Sequence, residues 1–298
     1  MSTPSGASVW VLAARPKTLP AAAAPVVLGA GLGAWHGQFR LLPVLAALVG
    51  ALLIQVGTNL ANDYYDFVKG SDTEERLGPL RVTQAGLLPP ERVHRGMQVT
   101  LGLALLVGTY LVWVGGVPVV IIGLASLVCA VAYTGGPFPL AYHGLGDLFV
   151  FVFFGLVAVG GTYWVQALSL PPDVLLAGAG MGALVTAILV VNNLRDVETD
   201  GRAGKRTLAV RLGVTGTRME YLALLVAALM VPPVGIWRYQ WPLASLLSFL
   251  ALLPLLRPLR TVFAFRDPRD LNPALGQTAR GVALYGVLLA VGLALGSW

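Results

Sequence analysis

The chain has 298 residues, 56% of them hydrophobic and only 11% charged, with a single cysteine, three histidines and a formal net charge of +6. A soluble surface of that size needs more charge, and a disordered chain lacks this much apolar material. One cysteine excludes a disulfide framework and a thiolate zinc cage, and three histidines leave little scope for imidazole metal sites. What remains is an integral membrane protein, and since no segment alternates with a period of two as a membrane barrel does, it is read as all-α.

Nine apolar segments are long enough to cross a bilayer, centred near residues 18–36, 41–61, 96–114, 117–134, 147–168, 174–194, 219–237, 241–262 and 279–297. The fourth is short, and the eighth contains Pro254, where a helix is expected to kink or end. Lys17 before Ala21 to Ala24 also fits a cleaved leader, which would leave eight spans and an inverted N-terminus. With nine spans, 18 of the 20 Lys and Arg fall on one side, and only Arg40 and Arg238 on the other. The positive-inside rule then places the N-terminus in the cytoplasm and the C-terminus outside a cell membrane. A basic rim facing anionic lipid headgroups accounts for the net charge, so no nucleic-acid partner is expected. The whole chain, 1–298, reads as one membrane domain.

The acids are less easily explained. Thirteen of the 14 fall on the cytoplasmic side, with Asp173 the exception, although acids contribute little to topology. Two clusters stand out, NLANDYYD at 59–66 and NNLRDVETD at 192–200, each at the cytoplasmic end of an apolar span. Asn62 and Asp66 are four residues apart, with Asp63 close by, and Asn192, Asp196 and Asp200 repeat the step. That spacing stacks side chains on one helix face. Stacked carboxylates repel unless a cation lies between them, and Mg²⁺ is bound by one or two carboxylates together with water and substrate phosphates. Solvated helix ends would explain one cluster; two on the same side, four spans apart, point to a site that flanks a diphosphate. Lys69, Arg76 and Arg81 follow the first cluster, and Arg202, Lys205 and Arg206 the second. Lys205 and Arg206, just beyond Asp200, are the strongest candidates to hold diphosphate oxygens. Gly29 with Gly33, and Gly178 with Gly182, read as sites of close helix packing. Trp10, Trp35, Trp113, Trp237 and Trp298 fit membrane-interface belts.

The paired clusters resemble those of the UbiA superfamily of intramembrane aromatic prenyltransferases, and most nearly its 1,4-dihydroxy-2-naphthoate polyprenyltransferase branch. The resemblance is carried by RPKTLPAAAAPVVLG (15–29), NLANDYYDFVKGSDT (59–73), RLGPLRVTQAG (76–86), YTGGPFPLAYHGLGDLFVFVFFGLVAVGGTYWVQ (133–166) and NNLRDVETDGRAGKRTLAVRLG (192–213). The last three spans contribute little to it. The wider family places an acid eight residues after the first Asn of its first motif; here that position is Gly70, and the next acid is Asp72.

The resemblance implies a nine-helix bundle that transfers a polyprenyl chain from its diphosphate to 1,4-dihydroxy-2-naphthoate, with loss of CO₂, in menaquinone synthesis. It implies Mg²⁺ held by Asp63, Asp66, Asp196 and Asp200, with Asp72 joining the set, and with Asn62 and Asn192 assisting at the substrate. Asp66, Asp196, Lys205 and Tyr133 would carry the chemistry, Tyr133 by steadying an allylic cation or orienting the acceptor. Lys69, Arg76, Arg81 and Arg206 would bind substrate, and Arg15 and Lys17 could meet the naphthoate carboxylate. The alternatives are another aromatic acceptor, such as 4-hydroxybenzoate or homogentisate, and, in a different class, a cation-coupled transporter. The latter fits less well, because transport sites lie near the bilayer midplane and these acids lie at helix ends.

Overall fold

The computed structural model describes residues 6–71 and 77–296. Asp72, Arg76 and Trp298 lie outside the described residues. Among the described residues there is no strand, and the chain is a bundle of helices. An N-terminal helix, α1 (Gly6–Ala14), precedes α2 (Leu19–Trp35), α3 (Leu41–Val68), α4 (Pro90–Gly115) and α5 (Val117–Ala132). Then come α6 (Gly146–Ala167), α7 (Pro172–Arg195), the short α8 (Val197–Arg202), α9 (Leu208–Tyr239), α10 (Leu243–Ala264) and α11 (Leu271–Leu295). Eight of these segments, counting α1 and α2 together, are long and apolar enough to cross a membrane, and α5 is a shorter apolar helix of 16 residues. The nine expected spans are therefore all helical, and the protein is a polytopic all-α membrane bundle.

Two boundaries differ from the sequence expectation in ways that matter for the site. Helix α3 does not stop with its apolar run but continues to Val68, so the first acidic cluster rides on its last two turns. Helix α1 has no counterpart in the span list. It is separated from α2 by Arg15, a non-glycine residue in the left-handed region (φ 52°), and by a turn of 3₁₀ helix at Pro16–Thr18. The Asn59 side chain holds this junction by donating to the Ala14 carbonyl (2.9 Å) and to Thr18 Oγ1 (3.0 Å). The helix does not end at Pro254, where a kink or an end is expected, but changes type beside it: α10 runs as 3₁₀ helix over Leu243–Ala251 and as α-helix over Leu252–Ala264. Pro254 thus sits just after the change from 3₁₀ to α-helix.

Helix α7 is the axis of the bundle. It is buried on nearly every side, consistent with a sequence that is apolar all round. The main core is formed by α7 with α2, α6, α9 and α11, and a smaller core lies under α1, α3, α4 and the segment that includes Val82 and Leu88. Glycines set the closest approaches, as their spacing suggests. A Cβ on Gly155 of α6 would lie 2.5 Å from the Gly178 carbonyl oxygen and 2.6 Å from the Gly182 Cα, both backbone atoms of α7. One on Gly29 would lie 2.7 Å from the Val159 carbonyl oxygen. The contact between α6 and α7 coincides with a π-helical stretch, Phe151–Val157, within α6.

The two ends of the bundle are chemically distinct. At one end Asp173 is buried and accepts from His36 Nε2 (3.1 Å) and Trp241 Nε1 (3.2 Å), while His36 Nδ1 meets the Tyr163 hydroxyl (2.7 Å). The other end carries both acidic clusters and most of the basic residues.

Candidate active site

The last turns of α3 form the first wall. Asp66 is almost fully buried, and its carboxylate accepts from Arg81 Nη1 (2.7 Å), the Tyr142 hydroxyl (2.8 Å) and Lys205 Nζ (3.3 Å). A buried carboxylate is costly unless paired, and here three donors from distant parts of the chain converge on it. Asn62, one turn earlier, accepts from Thr134 Oγ1 at its side-chain oxygen (2.9 Å) and from Arg81 at its carbonyl (2.5 Å).

Asp63, expected among the metal ligands, is engaged by the backbone instead of facing the cleft. Its two oxygens accept the backbone N–H groups of Val82 and Thr83, both at 3.1 Å, and it is 1% exposed. It does not line the cleft described below. Three residues before Asp66, Asp63 lies about 60° around the helix from it, and this offset turns it onto the backbone of the returning chain while Asp66 meets the Arg81 side chain. There it anchors the segment that brings Arg81 to Asp66.

The end of α7 and the start of α8 form the second wall. The three-step face expected for Asn192, Asp196 and Asp200 is interrupted, because Asp196 leaves helical geometry (φ −96°, ψ 7°) between the two helices. The chain nonetheless keeps the acids together. The Asp200 N–H donates to the Asp196 carbonyl (2.7 Å), and the Lys205 N–H to the Asp200 carbonyl (2.9 Å). Arg195, in sequence one of the many basic residues of the cytoplasmic rim, is 1% exposed and central to this wall. It grips Asp196 through Nε (2.8 Å) and Nη2 (2.5 Å), and reaches Asn192 Oδ1 and Asn272 Oδ1, each at 2.9 Å. Asn272 in turn donates to the Leu77 carbonyl (2.9 Å), tying α11 to the segment after α3. Burial pushes the Asp200 carboxyl up to about 6, with Lys205 opposing and the Asp196 and Asp66 charges adding to the shift.

The loop from Tyr133 to Leu145 closes the third side. Tyr142, also missed in the sequence, bonds Asp66 and meets Ser71 Oγ at 2.6 Å. The ammonium groups of Lys205 and Lys69 lie 4.8 and 5.2 Å from its ring centroid. Burial, and then the Asp66 charge, push its phenol above the ordinary range. The Arg206 N–H donates to the Tyr142 carbonyl (3.0 Å), so the loop is fastened to the second acidic cluster as well as the first. Tyr133 lines the cleft beside Gly146, and withdrawal from water, with the charge of Asp147, raises its phenol also.

Between these walls lies a cleft of about 430 Å³. It is lined by Arg15, Asn62, Asp66, Arg81, Tyr133, Asn192, Asp196, Asp200 and Lys205, as the sequence suggested, and also by Thr199 and Arg202. Lys17, Lys69 and Arg206 are exposed and do not line it. Lys69 is committed to the Thr134 and Gly136 carbonyls (2.7 and 3.3 Å). Arg206 contributes backbone, its carbonyl accepting from Arg211 Nε (3.3 Å). Among the described residues no three His, Cys, Asp or Glu side chains form a metal cage of their own. The donor set is instead one of carboxylate and amide oxygens spread over facing walls, which fits Mg²⁺ shared with a phosphorylated substrate better than a resident structural ion.

Comparison with known proteins places the chain in a family. The UbiA prenyltransferase family profile matches residues 22–279. The chain is 40% identical to the 1,4-dihydroxy-2-naphthoate octaprenyltransferase of Escherichia coli (strain K12), with 99% of this chain and 97% of that protein covered. Among solved structures, the fold is similar to an apo UbiA homolog from Aeropyrum pernix K1, with a TM-score of 0.69 at 15% identity, covering 90% of this chain and 97% of that one. A UbiA homolog from Archaeoglobus fulgidus bound to DMAPP and Mg²⁺ gives a TM-score of 0.61 at 14% identity, covering 95% and 99%. The family profile spans most of the chain, and a close relative spans nearly all of it: the chain belongs to the UbiA prenyltransferase family.

Proposed function

We propose that this protein transfers a polyprenyl group from its diphosphate to 1,4-dihydroxy-2-naphthoate, releasing CO₂ and diphosphate and forming a demethylmenaquinol for menaquinone synthesis. The observation that carries the reaction type is the cleft itself: Asp66, Asp196 and Asp200 together with Arg15, Arg81 and Lys205, at one end of an apolar bundle. The acceptor rests on the name of the Escherichia coli relative, 40% identical over nearly the whole of both chains.

Asp66, Asp196 and Asp200 are the residues that would hold Mg²⁺, with Asn62 and Asn192 beside them. The ion, when bound, neutralises diphosphate charge and so favours departure of the leaving group. The Archaeoglobus fulgidus homolog bound to DMAPP and Mg²⁺ supports this role. Lys205, Arg15 and Arg202 face the same space and would bind phosphate oxygens as the bond from the prenyl carbon to oxygen breaks. The electron pair of that bond leaves with diphosphate. The electron-rich naphthoate ring then forms the new carbon–carbon bond, and the electrons of its carboxylate bond return to the ring as CO₂ departs. Tyr133 stands on the cleft wall with a phenol held neutral by its surroundings, suited to face a developing allylic cation. Tyr142 positions Asp66 and Lys205 and is a positioning residue in this scheme. The apolar bundle excludes water, which would otherwise capture the cation. In the membrane the cleft faces the cytoplasm, with the N-terminus on that side and the C-terminus outside, as the asymmetry of Lys and Arg favours.

The test is a product assay with purified protein, Mg²⁺, a polyprenyl diphosphate and 1,4-dihydroxy-2-naphthoate labelled at the carboxyl carbon. A prenylated naphthoquinol with matching release of labelled CO₂ is expected. Prenylation of 4-hydroxybenzoate in its place would keep the family chemistry and refute the acceptor. No product with any phenol from folded protein would refute the reaction.

A further inference from the structure

A second concavity, of about 490 Å³, lies on the flank of the bundle at its basic end, between α1, α3 and α4. Its floor is apolar, built from Ala14, Val56, Leu60 and Val99. Trp10 forms one side. Its ring lies over Gly96, where an added Cβ would sit 2.6 Å from the indole Cζ3, so a glycine is what admits it. Arg92 and Arg95 complete the rim. Arg92, Arg95, Gly96 and Val99 are spaced by three and four residues, so they form one stripe on α4. Both arginines are exposed, and among the described residues neither pairs with a carboxylate. Glu91 is one position from Arg92, about 100° around the helix, and four from Arg95, on the same face, but it forms no ion pair with either among the described residues.

The surroundings are those of a membrane interface. Helix α4 is the least enclosed of the long helices. Helix α1 exposes Trp10, Val11 and Leu12, and tryptophan is enriched where a membrane meets water. Two guanidinium groups without a carboxylate partner among the described residues, at headgroup level, above an apolar floor and beside an indole, complement one kind of ligand in both charge and polarity. We propose that this groove binds an anionic phospholipid, its phosphate between Arg92 and Arg95 and an acyl chain along Val56, Leu60 and Val99. A free phosphate would leave the floor unused, and a zwitterionic headgroup carries its own cation. The groove adjoins the catalytic cleft: Ala14, the last residue of α1, lines one, and Arg15, which follows it, lines the other.

Delipidated full-length protein would be titrated with phosphatidylglycerol or phosphatidylcholine of matched chains, and retained lipid counted by native mass spectrometry. One phosphatidylglycerol is expected to be held about 30-fold more tightly than phosphatidylcholine, from two arginines near the surface. R92Q and R95Q singly should each lose about fivefold, and R92Q/R95Q the whole preference. The control R257Q/R260Q removes an exposed pair with the same spacing on α10 and should keep it. Elution and melting profiles establish that each variant is folded, and the single variants at exposed positions carry the test should the double fail. Equal retention of the two lipids by the wild type, unchanged preference in R92Q and R95Q, or an equal loss in the control would each overturn the proposal. Glycerol phosphate bound as tightly as the lipid would overturn it too, by making the groove a site for free anions.

Discussion

Asp63→Asn separates two roles that the sequence cannot tell apart. The wild-type carboxylate accepts two backbone N–H groups, from Val82 and Thr83, at 3.1 Å each. An asparagine keeps one acceptor oxygen and turns an amide N–H₂ toward the second donor, so one charge-assisted bond is lost and a buried N–H is orphaned. Hydrogen bonds to charged groups contribute roughly 1.5–3 kcal/mol. The equilibrium for local opening of the segment around Arg81 should therefore rise about 10- to 150-fold. Hydrogen exchange measured on peptides covering residues 77–89 reads this directly, with faster exchange expected there and little change in α7. Because Asp63 does not line the cleft, the Mg²⁺ concentration that gives half-maximal activity should stay within a few-fold of wild type, while Asp66→Asn shifts it strongly or abolishes turnover. If Asp63→Asn leaves exchange unchanged and raises the Mg²⁺ requirement tenfold or more, Asp63 is a ligand and the anchoring argument is wrong.

Arg195→Lys keeps the charge but cannot form the two parallel bonds to Asp196 or reach Asn192 and Asn272 together. Losing a hydrogen bond to a charged group costs roughly 1.5–3 kcal/mol; activity should fall about tenfold or more, and a variant with near-wild-type kcat/KM would remove Arg195 from the site. Gly155→Ala places a methyl group against backbone of α7 that cannot move aside. Overpacking of this kind costs roughly 1–3 kcal/mol, seen as a lower melting temperature in detergent, whereas Gly108→Ala, which meets open space, should melt as wild type.

The spans were legible because membrane burial writes itself into every residue of a helix, and the acidic residues were legible because charge at an apolar helix end is costly without a purpose. What escaped was the partnership of those acids. Arg195 looked like one of many basic residues at a membrane rim, and only the fold reveals that it is buried against Asp196 and Asn272. Tyr142 gave no signal, since a tyrosine near an interface is ordinary; its link to Asp66 spans 76 positions of sequence. Asp63 and Asp66 have the same chemistry and differ only in which way a helix turns them. Helix α1 was hidden by Arg15, whose left-handed backbone conformation splits what reads as the approach to the first span. Gly178 and Gly182 were found by spacing, but Gly155, which meets both, lies in a π-helical stretch where spacing rules do not apply.

The pairing of the carboxylates has a consequence for how ligands enter the cleft. Asp66 is neutralised by Arg81 and Lys205, and Asp196 by Arg195. A divalent cation arriving alone must displace Lys205 from Asp66, leaving a partly buried ammonium without its partner. A diphosphate arriving alone brings negative charge toward three carboxylates. Together they exchange partners: the cation takes the carboxylates, and Lys205 turns to phosphate oxygens. Binding of Mg²⁺ and of inorganic diphosphate should therefore be positively coupled. Coupling between sites is typically 1–3 kcal/mol, so each ligand should tighten the other by about 5- to 150-fold and, by linkage, by the same factor in both directions. Calorimetric titration of Mg²⁺ with and without a non-reactive prenyl diphosphate analogue, and the reverse, measures both factors. In Lys205→Met, where Asp66 keeps only Arg81 and Tyr142, Mg²⁺ alone should bind more tightly and the coupling should shrink. Independent binding in the wild type, or undiminished coupling in Lys205→Met, would refute the exchange and leave Lys205 as a static support for Asp66.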